Sequence, residues 1–162
     1  MVGDITYIPT WQGWVYLATV IDCYTKACIG YAMADHLRAE LAIDALTMAA
    51  RNYPLAQGAI FYSDRGTQYT SAAFAAAANL LSIRQSVGAT GVCFDNAPAE
   101  SFNAAVKVER VNRTVYPTRE HARKNVARYI ESRYNTQRLH SALGYQTPQE
   151  VYDEYLNRQI AA

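Results

Sequence analysis

Three acidic side chains are of a type and spacing that could do chemistry, although local structure also accounts for two of them. Asp4 interrupts residues 2–9, a β-branched and aromatic run in which an acid is a poor strand former. It reads either as the wet-face residue of an edge strand or as a ligand. Asp64 follows the apolar run Ile60-Phe61-Tyr62-Ser63, at a strand's carboxyl end, where α/β sheets open their crevices. Arg65-Gly66-Thr67-Gln68 then turns the chain, and a plain Asp-Arg-Gly turn accounts for the same residues. Glu100 lies one turn into a helix opening Asp95-Asn96-Ala97-Pro98, where an acid also serves the helix start, with Asp95 as its cap. Gathered together, the three would repel one another and require cations. Their hard oxygens suit Mg²⁺ or Mn²⁺, which keep room for phosphate. Asn96, Asn103 and Lys107 recur with Glu100 at helical spacing, a polar stripe opposite Phe102, Ala105 and Val106.

The elements that must position these residues can be read from periodicity. Residues 2–9, 15–22 and 27–34 read as an antiparallel meander, its first turn at Trp11-Gln12-Gly13-Trp14. Leu41, Ala42, Ala45, Leu46, Met48 and Ala49 recur every three or four residues, which predicts a helix over 38–52 ended by Pro54 and Gly58. Residues 59–63 form a short strand, and Thr70 or Ser71 caps an Ala-rich helix to about 81. A fifth strand at 83–87 leads through a loop at 88–94 to helices at 96–112 and 118–134 and a short one after Pro148. The order predicts a mixed α/β domain whose crossover helices cover a sheet, without repeats or low-complexity linkers.

Composition bounds the setting. A chain of 162 residues suits one domain over 1–162, with the core at roughly 2–134 and a closing segment at 135–160. An apolar share of 51% excludes a disordered chain. No apolar run approaches the ~20 residues that cross a bilayer, so no membrane partner is expected. There is no charged-then-apolar leader, and the chain starts directly on a strand, as a domain cut from a longer polypeptide would. Cys23, Cys28 and Cys93 lack metal-ligand spacing and read as thiols in a reducing compartment. Residues 1–100 carry five Lys/Arg against eight acids, residues 101–162 ten against six. An acidic cluster followed by a basic flank suits a metal-dependent phosphodiester enzyme, although solvated helix faces give the same pattern.

Combined, the segments are specific. Asp4-Ile5-Thr6-Tyr7-Ile8, then Tyr62-Ser63-Asp64-Arg65-Gly66-Thr67-Gln68-Tyr69-Thr70-Ser71, then Asp95-Asn96-Ala97-Pro98-Ala99-Glu100-Ser101-Phe102 occur in order, with thirty-five residues between Asp64 and Glu100. Together with Tyr134-Asn135, Arg138-Leu139-His140-Ser141-Ala142-Leu143-Gly144-Tyr145 and Thr147-Pro148, they resemble the catalytic core of DDE transposases of bacterial insertion sequences, which are similar to retroviral integrases. Tyr62 stands where that family often has His, Asn103 where an aromatic is common, and residues 88–91 lack a frequent basic residue.

The resemblance implies a ribonuclease-H-like fold, a five-stranded mixed sheet flanked by helices, with Asp4, Asp64 and Glu100 as catalytic metal ligands. Two Mg²⁺ or Mn²⁺ ions would serve hydrolysis at a transposon end and transfer of its 3′-hydroxyl into target DNA. Asp4 would bridge both ions, with Asp64 on one and Glu100 on the other, and none of the 13 tyrosines need be a nucleophile. Lys107, Arg65, Asn96, Asn103 and His140 are candidate DNA contacts, with solvated-lysine, salt-bridge and structural-histidine readings open for Lys107, Arg65 and His140. Asp22 and Asp95 read as structural acids. The implied partners are transposon ends, target DNA and further copies of the chain; the implied setting is the bacterial cytoplasm, at the nucleoid when DNA-bound. A nuclease without strand transfer and an inactive DNA-binding or dimerising module are the competing readings.

Overall fold

The computed structural model describes residues 1–87 and 96–160, except for the side chains of 159 and 160. The loop expected at 88–94, Cys93 and Asp95 lie outside the described residues.

β1 (Val2–Thr10) and β2 (Gly13–Ile21) form a long antiparallel hairpin in register from Val2 opposite Ile21 to Thr10 opposite Gly13. Gly13 closes the turn at φ +99°, a backbone conformation that side chains rarely adopt. β3 (Cys28–Ala34) pairs antiparallel with β2, with a register shift at Val20/Ile21. β4 (Ile60–Ser63) runs parallel to β1, and β5 (Arg84–Val87) runs parallel to β4, giving the order β3-β2-β1-β4-β5.

Crossover helices account for the parallel pairs. α1 (Ala39–Asn52) connects β3 to β4, and α2 (Ala72–Leu80) connects β4 to β5. The expected cap of α2 is present: the Phe74 amide donates to Ser71 Oγ at 3.1 Å. These two helices cover one sheet face through Leu41, Leu46 and Phe74 against Val20, Ile29 and Phe61. Contact between α1 and β3 requires Gly30, where a Cβ would stand 2.3 Å from the Ala45 carbonyl oxygen and 2.6 Å from the Ala49 nitrogen.

The other face is covered by α3 (Ala97–Glu109) and α4 (Arg119–Tyr129), whose Phe102, Val106 and Val126 pack on Val2, Val15 and Leu17. Two helices expected as continuous are broken. That over 96–112 ends at Glu109, because Arg110 leaves helical geometry (φ −130°, ψ −62°) and a 3-10 turn at Val111–Arg113 follows. That over 118–134 widens after Tyr129 into a π-turn, Ile130–Tyr134, with the Asn135 amide donating to the Ile130 carbonyl at 3.1 Å. Beyond this turn, Asn135 bonds both the amide and the carbonyl of Cys28, each at 2.9 Å. The closing segment, ending in α5 (Pro148–Ile160), is thereby tied to β3. Among the described residues no helix is long and apolar enough to cross a membrane.

Candidate active site

Parallel pairing of β1 with β4 brings the first two carboxylates together. Val2 pairs with Tyr62, and two residues further along each chain stand Asp4 and Asp64. β4 ends at Ser63 while β1 continues to Thr10, so a notch opens beside β1 beyond the end of its shorter neighbour. Asp4, Asp64, Tyr7, Leu37, Gln68 and Tyr69 line a cleft of about 200 Å³ there.

Strand alternation directs Asp4 to the face carrying Val2 and Ile8, which is the α3 face. From α3 the Asn103 Nδ2 donates to Asp4 Oδ2 at 2.7 Å. Burial, above all, raises the Asp4 carboxyl; Asp64 and, more weakly, Glu100 add to the rise, while the Ile5 amide and Asn103 oppose it. Asp64 is exposed, and its Oδ1 accepts from the Gly66 amide at 2.9 Å. A Cβ at Gly66 would stand 2.9 Å from that oxygen, so the turn shapes the carboxylate's surroundings. Glu100 projects from the exposed side of the first turn of α3.

The donor set is all hard oxygen, and Asp4 feels the negative charge of both other acids, which is the electrostatic state a divalent cation relieves. Among the described residues no three His, Cys, Asp or Glu side chains stand close enough together to hold one ion. Asp4 and Asp64 stand on adjacent chain segments, and Glu100 acts on Asp4 more weakly than Asp64 does.

The other sequence candidates divide. Lys107 lies over the Tyr7 ring, Nζ to centroid 4.7 Å, and Tyr7 meets Trp14 edge-on at 4.9 Å. Arg65 is exposed beside Asp64. Asn103 does not belong to an exposed stripe: it is 7% exposed, and its Nδ2 donates to Asp4. Asn96 is half-buried, and its Oδ1 is buried without a hydrogen-bond partner among the described residues. His140 belongs to the closing segment. Its ring meets Tyr134 edge-on at 5.0 Å, its Nδ1 is 3.4 Å from Arg138 Nη1, and its amide donates to the Gln146 carbonyl. Burial, with the Arg138 charge, holds it below the ordinary histidine value, a structural setting. Asp22 accepts from the amide and hydroxyl of Thr25, both at 2.8 Å, closing a turn as expected. Cys23 and Cys28 are free thiols, the latter buried and pushed well up by its burial.

One side chain in the cleft escaped the sequence reading. Tyr69 is 3% exposed and packs its ring against Phe61 and Phe74, as a core aromatic should. Among the described residues its hydroxyl has no hydrogen-bond partner, and it is raised by burial first, then by Asp4 and Asp64. Its position near the start of α2 signals only packing; tertiary placement brings the hydroxyl to the acids.

Comparison with known proteins is consistent across three kinds of match. The sequence signature of the "Integrase core domain" matches residues 1–93, and a second signature of the same description matches residues 81–148. The chain is 42% identical over 154 residues to "Transposase InsF for insertion sequence IS3A" of Escherichia coli (strain K12), covering 95% of this chain and 54% of that protein. It is 38% identical over 161 residues to "Insertion element IS600 uncharacterized 31 kDa protein" of Shigella sonnei, covering 99% and 58%. The chain therefore spans about half the length of the curated relatives it matches. Among solved structures, the catalytic core domain of BIV integrase superposes with TM-score 0.67 at 14% identity, covering 98% of this chain and 97% of that one. The HTLV-2 integrase catalytic core domain in complex with magnesium gives 0.67 at 14%, covering 93% of each. A chain of the simian T-cell lymphotropic virus intasome gives 0.71 at 17%, covering 93% and 52%. At these identities the likeness speaks for the fold, which is ribonuclease-H-like.

Proposed function

The chain belongs to the integrase core domain family, and from that premise we propose that it is the catalytic core of an insertion-sequence DNA transposase, with Asp4, Asp64 and Glu100 as its metal ligands. The observation that carries the proposal is Asp4 itself. It is a partly buried acid bonded by Asn103, next to Asp64 and within the field of Glu100. Such a cluster disfavours its own ionisation, and divalent cations, two Mg²⁺ or Mn²⁺ on this reading, would stabilise it. When bound, they would supply electrostatic stabilisation of the attacking and leaving oxygens of an in-line displacement.

The chain's own residues do the rest. Asn103 holds one Asp4 oxygen so that the other can face the cleft, and the Gly66 amide does the same for Asp64. Lys107, braced on Tyr7, and Arg65 would take phosphates of the DNA backbone. Water would attack the phosphodiester at the transposon end, breaking the bond to the 3′-oxygen and freeing a 3′-hydroxyl. That hydroxyl would then attack a target phosphate and displace the target's own 3′-oxygen, with no protein–DNA covalent intermediate. Between residues 101 and 141, nine Lys/Arg against three acids provide a surface suited to DNA backbone. Paired ends imply further copies of the chain, and action on chromosomal DNA implies the bacterial cytoplasm.

Incubation with a labelled, precleaved duplex end, a supercoiled target and Mg²⁺ or Mn²⁺ tests this reading. Joined product is expected from the parent protein and none from Asp64→Asn. Cleavage without joining would replace transposase by nuclease, and joining that survives Asp64→Asn would overturn the site.

A further inference from the structure

We propose that the Tyr69 hydroxyl is a binding group of the carboxylate cleft, donating its hydrogen bond to a ligand oxygen held between Asp4 and Asp64. The inference rests on the reading of that cleft as a cation and phosphate site, and it adds a fourth protein group to the three acids. Its observations are independent of the acids' spacing. Tyr69 lines the cleft together with Asp4 and Asp64. The residue is 3% exposed, and its hydroxyl oxygen is buried with no partner among the described residues. Buried polar groups are bonded as a rule, so an orphan at the edge of a polar cleft is explained most directly by a ligand.

The hydroxyl cannot swing elsewhere to satisfy itself. Phe74 meets the Tyr69 ring edge-on at 5.4 Å, and Phe61 lies against it at 5.8 Å. The backbone is fixed as well: the Tyr69 amide donates to the Gly66 carbonyl at 3.0 Å, and Gln85 Nε2 donates to the Tyr69 carbonyl. Burial keeps the phenol protonated, so it is a donor. A donor at this place suits an incoming phosphate oxygen or a water in a cation's hydration shell, because the two carboxylates that share the cleft are acceptors. The two ligand sources share one chemistry, an electron-rich oxygen.

Tyr69→Phe removes the hydroxyl and preserves the ring that the core requires. A structural hydroxyl and a ligand-binding one predict opposite signs for the metal-free protein. Deleting an unsatisfied buried hydroxyl leaves the melting temperature unchanged or raises it, whereas deleting a structural bond lowers it. Mn²⁺ affinity, measured by calorimetry on the full chain without DNA, is expected to weaken by about two- to tenfold in Tyr69→Phe. If Mn²⁺ affinity is unchanged but Mn²⁺-dependent binding of a DNA duplex weakens by that factor, the ligand is a phosphate oxygen. The proposal is overturned if neither affinity moves or if the metal-free variant melts lower than the parent. Asp64→Asn is the control for the underlying reading. Loss of Mn²⁺ binding in Asp64→Asn, with neither Mn²⁺ nor DNA affinity changed in Tyr69→Phe, defeats the Tyr69 proposal alone. Unchanged binding in both defeats the metal site as well.

Discussion

Ionised Asp4 occupies partly buried surroundings beside Asp64 and Glu100, with burial the largest of the influences that raise it. An acid raised in the folded state binds its proton more tightly there than in the unfolded chain. Its ionisation therefore costs stability above its folded value, and the cost disappears as pH falls through that value. Asp4→Asn should consequently melt higher than the parent at neutral pH without divalent cations, by on the order of 2–4 °C for each 1 kcal/mol relieved. The gap should close as pH falls through the carboxylate range, while DNA joining is lost. Melting curves at several pH values check this, and a variant that melts lower at neutral pH would contradict it. The residues differ in how far they could be read in advance. Asp64 and Gly66 form a local turn, so their geometry follows from adjacent residues. Asn103 was visible as a helical neighbour of Glu100, but its job depends on which face of α3 meets β1. That choice is made by Phe102 and Val106 packing on the sheet, a contact between segments about a hundred residues apart.

α3 carries Glu100 near its start and Glu109 at its end, roughly 13 Å apart along the axis. The far end is anchored to the closing segment. Arg138 Nε donates to Glu109 Oε1 at 2.7 Å, and the Tyr129 hydroxyl donates to Glu109 Oε2 at 2.8 Å. Burial pushes Glu109 up, but the bonds from Arg138 and Tyr129, with the Arg138 and Arg133 charges, bring it below its ordinary value of 4.5. A depressed acid contributes stability that is present above its unfolded value and lost as pH falls through the folded one. Glu109→Gln should thus cost about 0.5–1 kcal/mol at neutral pH, with a difference from the parent that shrinks as pH drops below the glutamate range. Denaturant titrations at neutral and acid pH check it, and a difference that grew on acidification would refute the anchor. The strands and the first two helices were legible because their periods and caps are local. The ends of α3 and α4 were not: apolar spacing continues through Val111 and Ile130, and only the geometry of Arg110 and the widened turn before Asn135 end the regular helices.

Across the molecule, charge is divided between an acidic first part and a basic second part, with a net of only +1. On the proposed reading, DNA held by the basic residues of 101–141 would also bring its phosphates toward Asp4 and Asp64. In the metal-free protein those two contributions oppose each other, whereas a cation bound among the acids turns the cleft from repelling to attracting phosphate. The order of the chain conveyed this partition, but the closeness of Asp4 to Asp64 required the parallel pairing of β1 with β4. At constant ionic strength, exchanging monovalent for divalent cation should therefore tighten DNA binding by roughly fivefold or more, although divalent ions alone weaken simple phosphate contacts. Linkage makes the effect reciprocal, so DNA should tighten Mn²⁺ binding by the same factor. Fluorescence anisotropy of a labelled duplex gives the first factor and calorimetric Mn²⁺ titration with and without DNA the second. Asp64→Asn should abolish both, since a cleft that no longer holds the cation has nothing with which to couple the two ligands. Equal weakening of DNA binding by divalent cation in the parent and in Asp64→Asn would mean that the acids and the DNA surface act independently.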